Sequence, residues 1–112
     1  MRIVKTKKEL IKAIEDGERH IKIDSKSLYA ACILAETYDS TTALLKHYAI
    51  TKIKDVMVSV GTMNIVVNGT VVAITITISV LVAAIAIIGI LKDKKVKIKC
   101  RGYRMDGEVE IG

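Results

Sequence analysis

With 112 residues and a formal net charge of +6, the chain has material for one domain, and more than a quarter of it is committed to an uncharged run from Val56 to Leu91. That leaves any soluble part small. The charges sit outside the run: residues 1–55 carry eleven Lys/Arg against eight Asp/Glu, and residues 92–112 carry seven against four.

In chain order, Arg2-Ile3-Val4-Lys5 alternates as a short strand. Thr6 then stands at an N-cap position with Glu9 three residues on, the pattern of a capping box. Leu10, Ile11, Ala13 and Ile14 supply the apolar stripe of the helix that follows, and Gly17 its C-terminal stop. No apolar core or small-residue cleavage site follows the basic opening, so a signal peptide is not expected and the N-terminus is placed in the cytosol. His20 to Asp24 alternates again, so Ile21 and Ile23 can share a sheet face with Ile3 or Val4. Ser25 or Ser27 caps a second helix through Leu28, Ala31, Cys32 and Ala35. Together these make a strand-helix-strand-helix unit over residues 1–39. Thr41 or Thr42 opens an amphipathic helix within residues 40–55, whose lysines reach lipid headgroups or cover an ordinary soluble surface.

The run over residues 56–91 would reach about 54 Å as one helix, against a hydrocarbon core of about 30 Å. Asn68-Gly69 is the natural break. Residues 70–91 then form a spanning helix, and residues 56–67 are short, paired in a helical hairpin or re-entrant. A third arrangement is a β-hairpin turned by Asn68-Gly69. Pairing Val67 with Thr70 sets Thr62, Asn64, Ala73, Thr75, Thr77 and Ser79 on one face and Met63, Ile65, Val72, Ile74, Ile76 and Ile78 on the other. The alternation fades from Val80 to Leu91, which favours the helical arrangements. The fold class expected is therefore an α+β membrane protein, with cytosolic β-elements flanking a transmembrane helical hairpin or a helix with a re-entrant segment. Asn64, Asn68, Thr75 and Ser79 are the candidate pore-lining residues; on a helix the Thr75 and Ser79 hydroxyls equally suit helix–helix contact.

Residues 92–112 form a basic β-hairpin: Val96 to Cys100 alternates, and Asp106-Gly107 signals the turn into Glu108 to Ile111. Lys94, Lys95, Lys97, Lys99, Arg101 and Arg104, with Tyr103 as a stacking platform, are the candidate anionic-ligand residues. Acidic lipid headgroups are the more ordinary target for such a collar. Cys32, Cys100, His20 and His47 share no metal-ligand spacing, and no catalytic constellation is visible, so neither a metal, a cofactor nor an enzyme is expected.

The opening Val4-Lys5-Thr6-Lys7-Lys8-Glu9-Leu10-Ile11-Lys12-Ala13-Ile14-Glu15-Asp16-Gly17-Glu18, the Ile-Lys-Ile strand, the apolar region and the basic strand resemble small bacterial membrane effectors of nucleotidyltransferase-linked antiphage defence, the Hailong type. The resemblance covers the order of elements and those opening residues. It implies an oligomeric ion channel controlled by a nucleic-acid-like signal and encoded beside a nucleotidyltransferase. The residues add that a pore from so short a chain needs a ring of identical subunits, that the basic flanks place both termini on the cytoplasmic side of the inner membrane, and that the collar suits an oligonucleotide or other anionic ligand. The alternatives are a membrane-anchored interaction protein and a holin-like pore former.

Overall fold

The computed structural model describes residues 1–48, 59–67, 69–101 and 107–112. The chain starts with strand β1 (Arg2–Val4), and helix α1 (Lys7–Glu15) begins where the Thr6 hydroxyl accepts the Glu9 N–H at 3.1 Å. Gly17, at φ 81°, ends that helix, with its own N–H and that of Glu18 reaching back to Ile14 and Ala13. Arg2 and Lys12 close on Asp16 at 2.8 and 3.2 Å, and these hydrogen bonds hold its carboxyl below the usual range.

Strand β2 (His20–Ile23) lies parallel to β1, and helix α2 (Lys26–Thr37) follows, capped by Ser25, whose hydroxyl accepts the Leu28 N–H at 3.3 Å. Helix α3 (Thr41–Tyr48) is capped by Ser40. The rest of the expected 40–55 helix lies outside the described residues.

The uncharged run is where the structure departs from the sequence reading. It forms strand β3 (Ser59–Val67), strand β4 (Thr70–Thr77) and helix α4 (Ile78–Asp93). β3 and β4 pair antiparallel with Val67 opposite Thr70, Asn64 opposite Ala73 and Thr62 opposite Thr75. This is the β-hairpin arrangement, and no spanning helix covers residues 70–91. Among the described residues no helix is long and apolar enough to cross a membrane. The expected α+β class built on a transmembrane helical hairpin, or on a helix with a re-entrant segment, is corrected accordingly, and the membrane-protein, ion-channel and inner-membrane readings lose the spanning helix on which they rested. Two local causes act. Val71, Val72, Ile74, Thr75, Ile76 and Thr77 are β-branched and favour strand. Thr77 then caps α4, its hydroxyl accepting the Val80 N–H at 3.2 Å, so the helix starts eight residues later than hydropathy suggests.

α4 is a core element. Leu81, Ala84 and Ile87 are fully buried, with Val80, Ile88 and Leu91 nearly so, and the helix packs most extensively on α2, with α1 and α3 beside it. An α-helix that is apolar on nearly every side has two destinations, a bilayer or a protein interior. Here it is the second.

Strands β5 (Ile98–Arg101) and β6 (Glu108–Ile111) complete a mixed sheet in the order β1-β2-β6-β5, so the two ends of the chain share one sheet. Val4, Ile21, Ile23, Ile98, Val109 and Ile111 join the core on one face. On the other face the register sets Lys22, Glu108 and Arg101 in one cross-strand row and His20, Glu110 and Lys99 in the next. Opposite charges therefore neighbour each other across both rows, and a one-residue slip would bury them. The Cα radius of gyration is 13.2 Å, that of a single folded domain.

Two positions give direct tests of this fold. α4 ends in a Schellman motif, with Lys95 N–H on the Lys92 carbonyl and Val96 N–H on the Leu91 carbonyl, and Lys95 adopts φ 56° where glycine is usual. Urea denaturation should rank Lys95→Gly above the natural protein by about 0.5–1 kcal/mol and Lys95→Val below it. Gly107 has no room for a side chain: an added Cβ would lie 2.7 Å from Tyr29 Cζ and 2.8 Å from the Arg101 carbonyl oxygen. Gly107→Ala should cost about 1–3 kcal/mol in the same measurement, since one of the two obstacles is backbone.

Candidate functional site

The charged collar predicted from sequence is built from the C-terminus of α4 and from β5, which among the described residues is an edge strand with a neighbour on one side only. Lys97 and Gly112 exchange both main-chain hydrogen bonds at 2.9 Å. The antiparallel alternation that starts there points the N–H and C=O groups of Ile98 and Cys100 away from β6, toward the unpaired side. An exposed sheet edge of this kind invites another strand.

That edge is partly occupied. The Glu36 carboxylate, projecting from the last turn of α2, accepts the Cys100 N–H at 3.3 Å. One carboxylate of the chain thus sits where an incoming strand would place a carbonyl. Beside it, Cys32 is fully buried and Cys100 half-buried. Burial first, then the neighbouring Cys32 and Glu36, push the Cys100 thiol up; burial, with Glu36, does the same to Cys32. Both are thiols rather than thiolates at neutral pH, which makes them poor nucleophiles.

Two hollows flank the edge and share Glu36, Lys97 and Ile98. One, of about 640 Å³, is lined also by Arg19, His20, Lys99 and Glu110. The other, of about 480 Å³, lies between the C-terminal ends of α2 and α4 and takes in Tyr38, Asp39, Ile88, Lys92 and Lys95. The floor of the second is apolar, from Ala35, Ile88, Leu91, Val96 and Ile98, and its rim carries both signs of charge.

The predicted ligand residues are distributed unevenly over this ledge. Lys94 is the exposed C-cap of α4, and Lys95 follows it in the left-handed conformation. Lys97 borders both hollows and Lys99 the larger one. Arg101 is engaged with Glu110 at 3.0 Å, and His20 Nδ1 stands 3.7 Å from the same carboxylate. Tyr103 and Arg104 lie outside the described residues. Glu36, Arg19 and His20 carry no local signal of this placement, because their nearness to β5 depends on strand order and on where α2 ends, and neither is written in local periodicity.

The predicted pore residues do not form one stripe. Asn64 and Thr75 are exposed on β3 and β4, and Ser79 is exposed in the first turn of α4. Asn68 lies outside the described residues. Thr75 and Ser79 border a third hollow, of about 530 Å³, together with Lys26, Ser27 and Ala30 of α2. The helical face expected to align them is interrupted at Thr77.

Among the described residues no group of three His, Cys, Asp or Glu side chains can hold a metal ion. No protein-family model, curated protein or solved structure matches this chain.

Proposed function

We propose that this chain is a binding domain for an extended acidic ligand, a peptide segment that adds to the outer edge of β5. The observation that carries this reading is the Glu36 carboxylate on the Cys100 N–H, an internal group standing in for the ligand's own acceptor. A bound segment would displace Glu36, pair with the outward N–H and C=O of Ile98, and send alternate side chains into the two hollows. Acidic side chains suit the lysines there: Lys95 and Lys97 border the smaller hollow, and Lys97 and Lys99 the larger. Main-chain pairing supplies affinity and the lysines supply choice of partner.

A second reading, a single-stranded oligonucleotide, is favoured by the density of charge: Lys92, Lys94, Lys95, Lys97, Lys99 and Arg101 occur within ten residues that hold one acid, Asp93. It fits the ligand-responsive role implied by the resemblance to nucleotidyltransferase-linked effectors. Part of that charge already serves the fold, since Lys92, Lys94 and Lys95 complement the C-terminal end of the α4 dipole and Arg101 is paired with Glu110.

Fluorescence anisotropy with a labelled peptide of alternating Glu and Val, and in parallel with labelled oligothymidine, separates the two. For the acidic peptide, Lys97→Glu with Lys99→Glu should weaken binding at least tenfold, and Glu36→Ala should tighten it several-fold by clearing the edge. An oligonucleotide site would instead show a salt slope of roughly −0.7 per phosphate contact and no gain from Glu36→Ala. Absence of binding to either probe at low salt would refute the ledge as a ligand site.

A further inference from the structure

The two sheets of this molecule treat their edges in opposite ways. The outer edge of β5 is plugged by Glu36 and bordered by Lys97 and Lys99, and the edge strand β1 carries Arg2 with its Asp16 partner. Such charges and plugs keep a sheet edge from pairing indiscriminately, and at β5 they leave it to a segment that displaces Glu36. Among the described residues the β3–β4 hairpin shows no such charge or plug. From residue 59 to residue 77 there is no charged residue and no proline. Among the described residues each strand has one hydrogen-bonded neighbour, and β3 packs substantially on β4 alone.

The hairpin is also long. Its strands run nine and eight residues, above the usual five or six, and among the side chains described Ile74 and Ile76 are buried in the core, with Met63 partly buried beside them. The opposite face is open. Val66 and Val71, a directly paired couple near the turn, are 73% and 64% exposed, and Thr62, Asn64, Ala73 and Thr75 are exposed with them. Two strands alone are marginal in water, and further strands make such a sheet stable.

We propose that the outer edge of β3 pairs with the same edge of a second copy of this chain, giving a four-stranded sheet in the order β4-β3-β3-β4 across a two-fold axis. Charge decides between an identical partner and a foreign one. A two-fold contact sets each residue against its own kind or a near neighbour, which a charged edge resists and an uncharged edge accepts at no electrostatic cost. An axis near Met63 places Thr62 of one copy opposite Asn64 of the other, a hydroxyl beside an amide, and continues the exposed Thr/Asn/Val row across the joint. A charged foreign strand finds no complement anywhere on this edge.

Sedimentation equilibrium of the full chain tests the pairing. The natural protein should give twice its 12.3 kDa mass at tens of micromolar. The Thr62→Lys, Asn64→Lys double variant and the Thr62→Glu, Asn64→Glu double variant should each give the single mass, with unchanged far-UV circular dichroism because both side chains are exposed. Mixing the two variants should restore the doubled mass, a result that loss of folding cannot produce. A natural protein that stays at single mass, double variants that stay paired, or a mixture that fails to recombine would each overturn the pairing.

Discussion

Burial of α4 against α2 governs the arrangement of the rest of the chain, because a helix with no charge from Ile78 to Leu91 must leave water over most of its circumference. Leu81, Ala84, Ile87, Ile88 and Leu91 form one continuous packed surface with the buried side of α2. Each fully buried large side chain contributes roughly 1.5–3 kcal/mol relative to exposure, so this contact is among the largest stabilising terms available to so small a domain. The sheet closes the core from the other side with Val4, Ile21, Ile23, Ile98, Val109 and Ile111.

Holding α4 in place fixes what lies at its two ends. At its N-terminus Thr77 converts strand into helix within one residue, so the β3–β4 hairpin is anchored through Ile74, Ile76 and Ile78 while its outer face stays open. At its C-terminus the Schellman turn through Lys95 delivers the chain to β5, beside the end of α2, and thereby brings Glu36 to the Cys100 N–H. The Glu36-occupied edge of one sheet and the placement of the uncharged hairpin are both consequences of where α4 begins and ends.

Much of the local structure was legible in the sequence. Thr6 and Ser25 cap the helices their positions suggest, the alternation at Ile21 and Ile23 and at Ile98 marks buried strand positions, and the hairpin register with Val67 opposite Thr70 is one of the three arrangements open to the uncharged run. The destination of that run was not legible. Hydropathy reports that Leu81, Ile87 and Leu91 avoid water; it does not report whether lipid or α2 replaces the water. The β-branched residues from Val71 to Thr77 carry the deciding signal, yet the alanine-rich stretch from Val80 to Leu91 favours helix, and the Asn68-Gly69 break sets the expected helix start at Thr70, too far toward the N-terminus. At the ledge, exposed lysines could be found from the alternation of β5, whereas the Glu36 contact joins residues sixty-four apart and needs the strand order.

The measurement that tests the central claim most directly is the set of backbone ¹³Cα and ¹³Cβ chemical shifts across residues 70–93 of the isotope-labelled chain. Strand shifts from Thr70 to Thr77, giving way to helical shifts from Ile78 to Asp93, are what this fold predicts. Unbroken helical shifts from Thr70 to Leu91 would contradict it and return the run to a single long apolar helix.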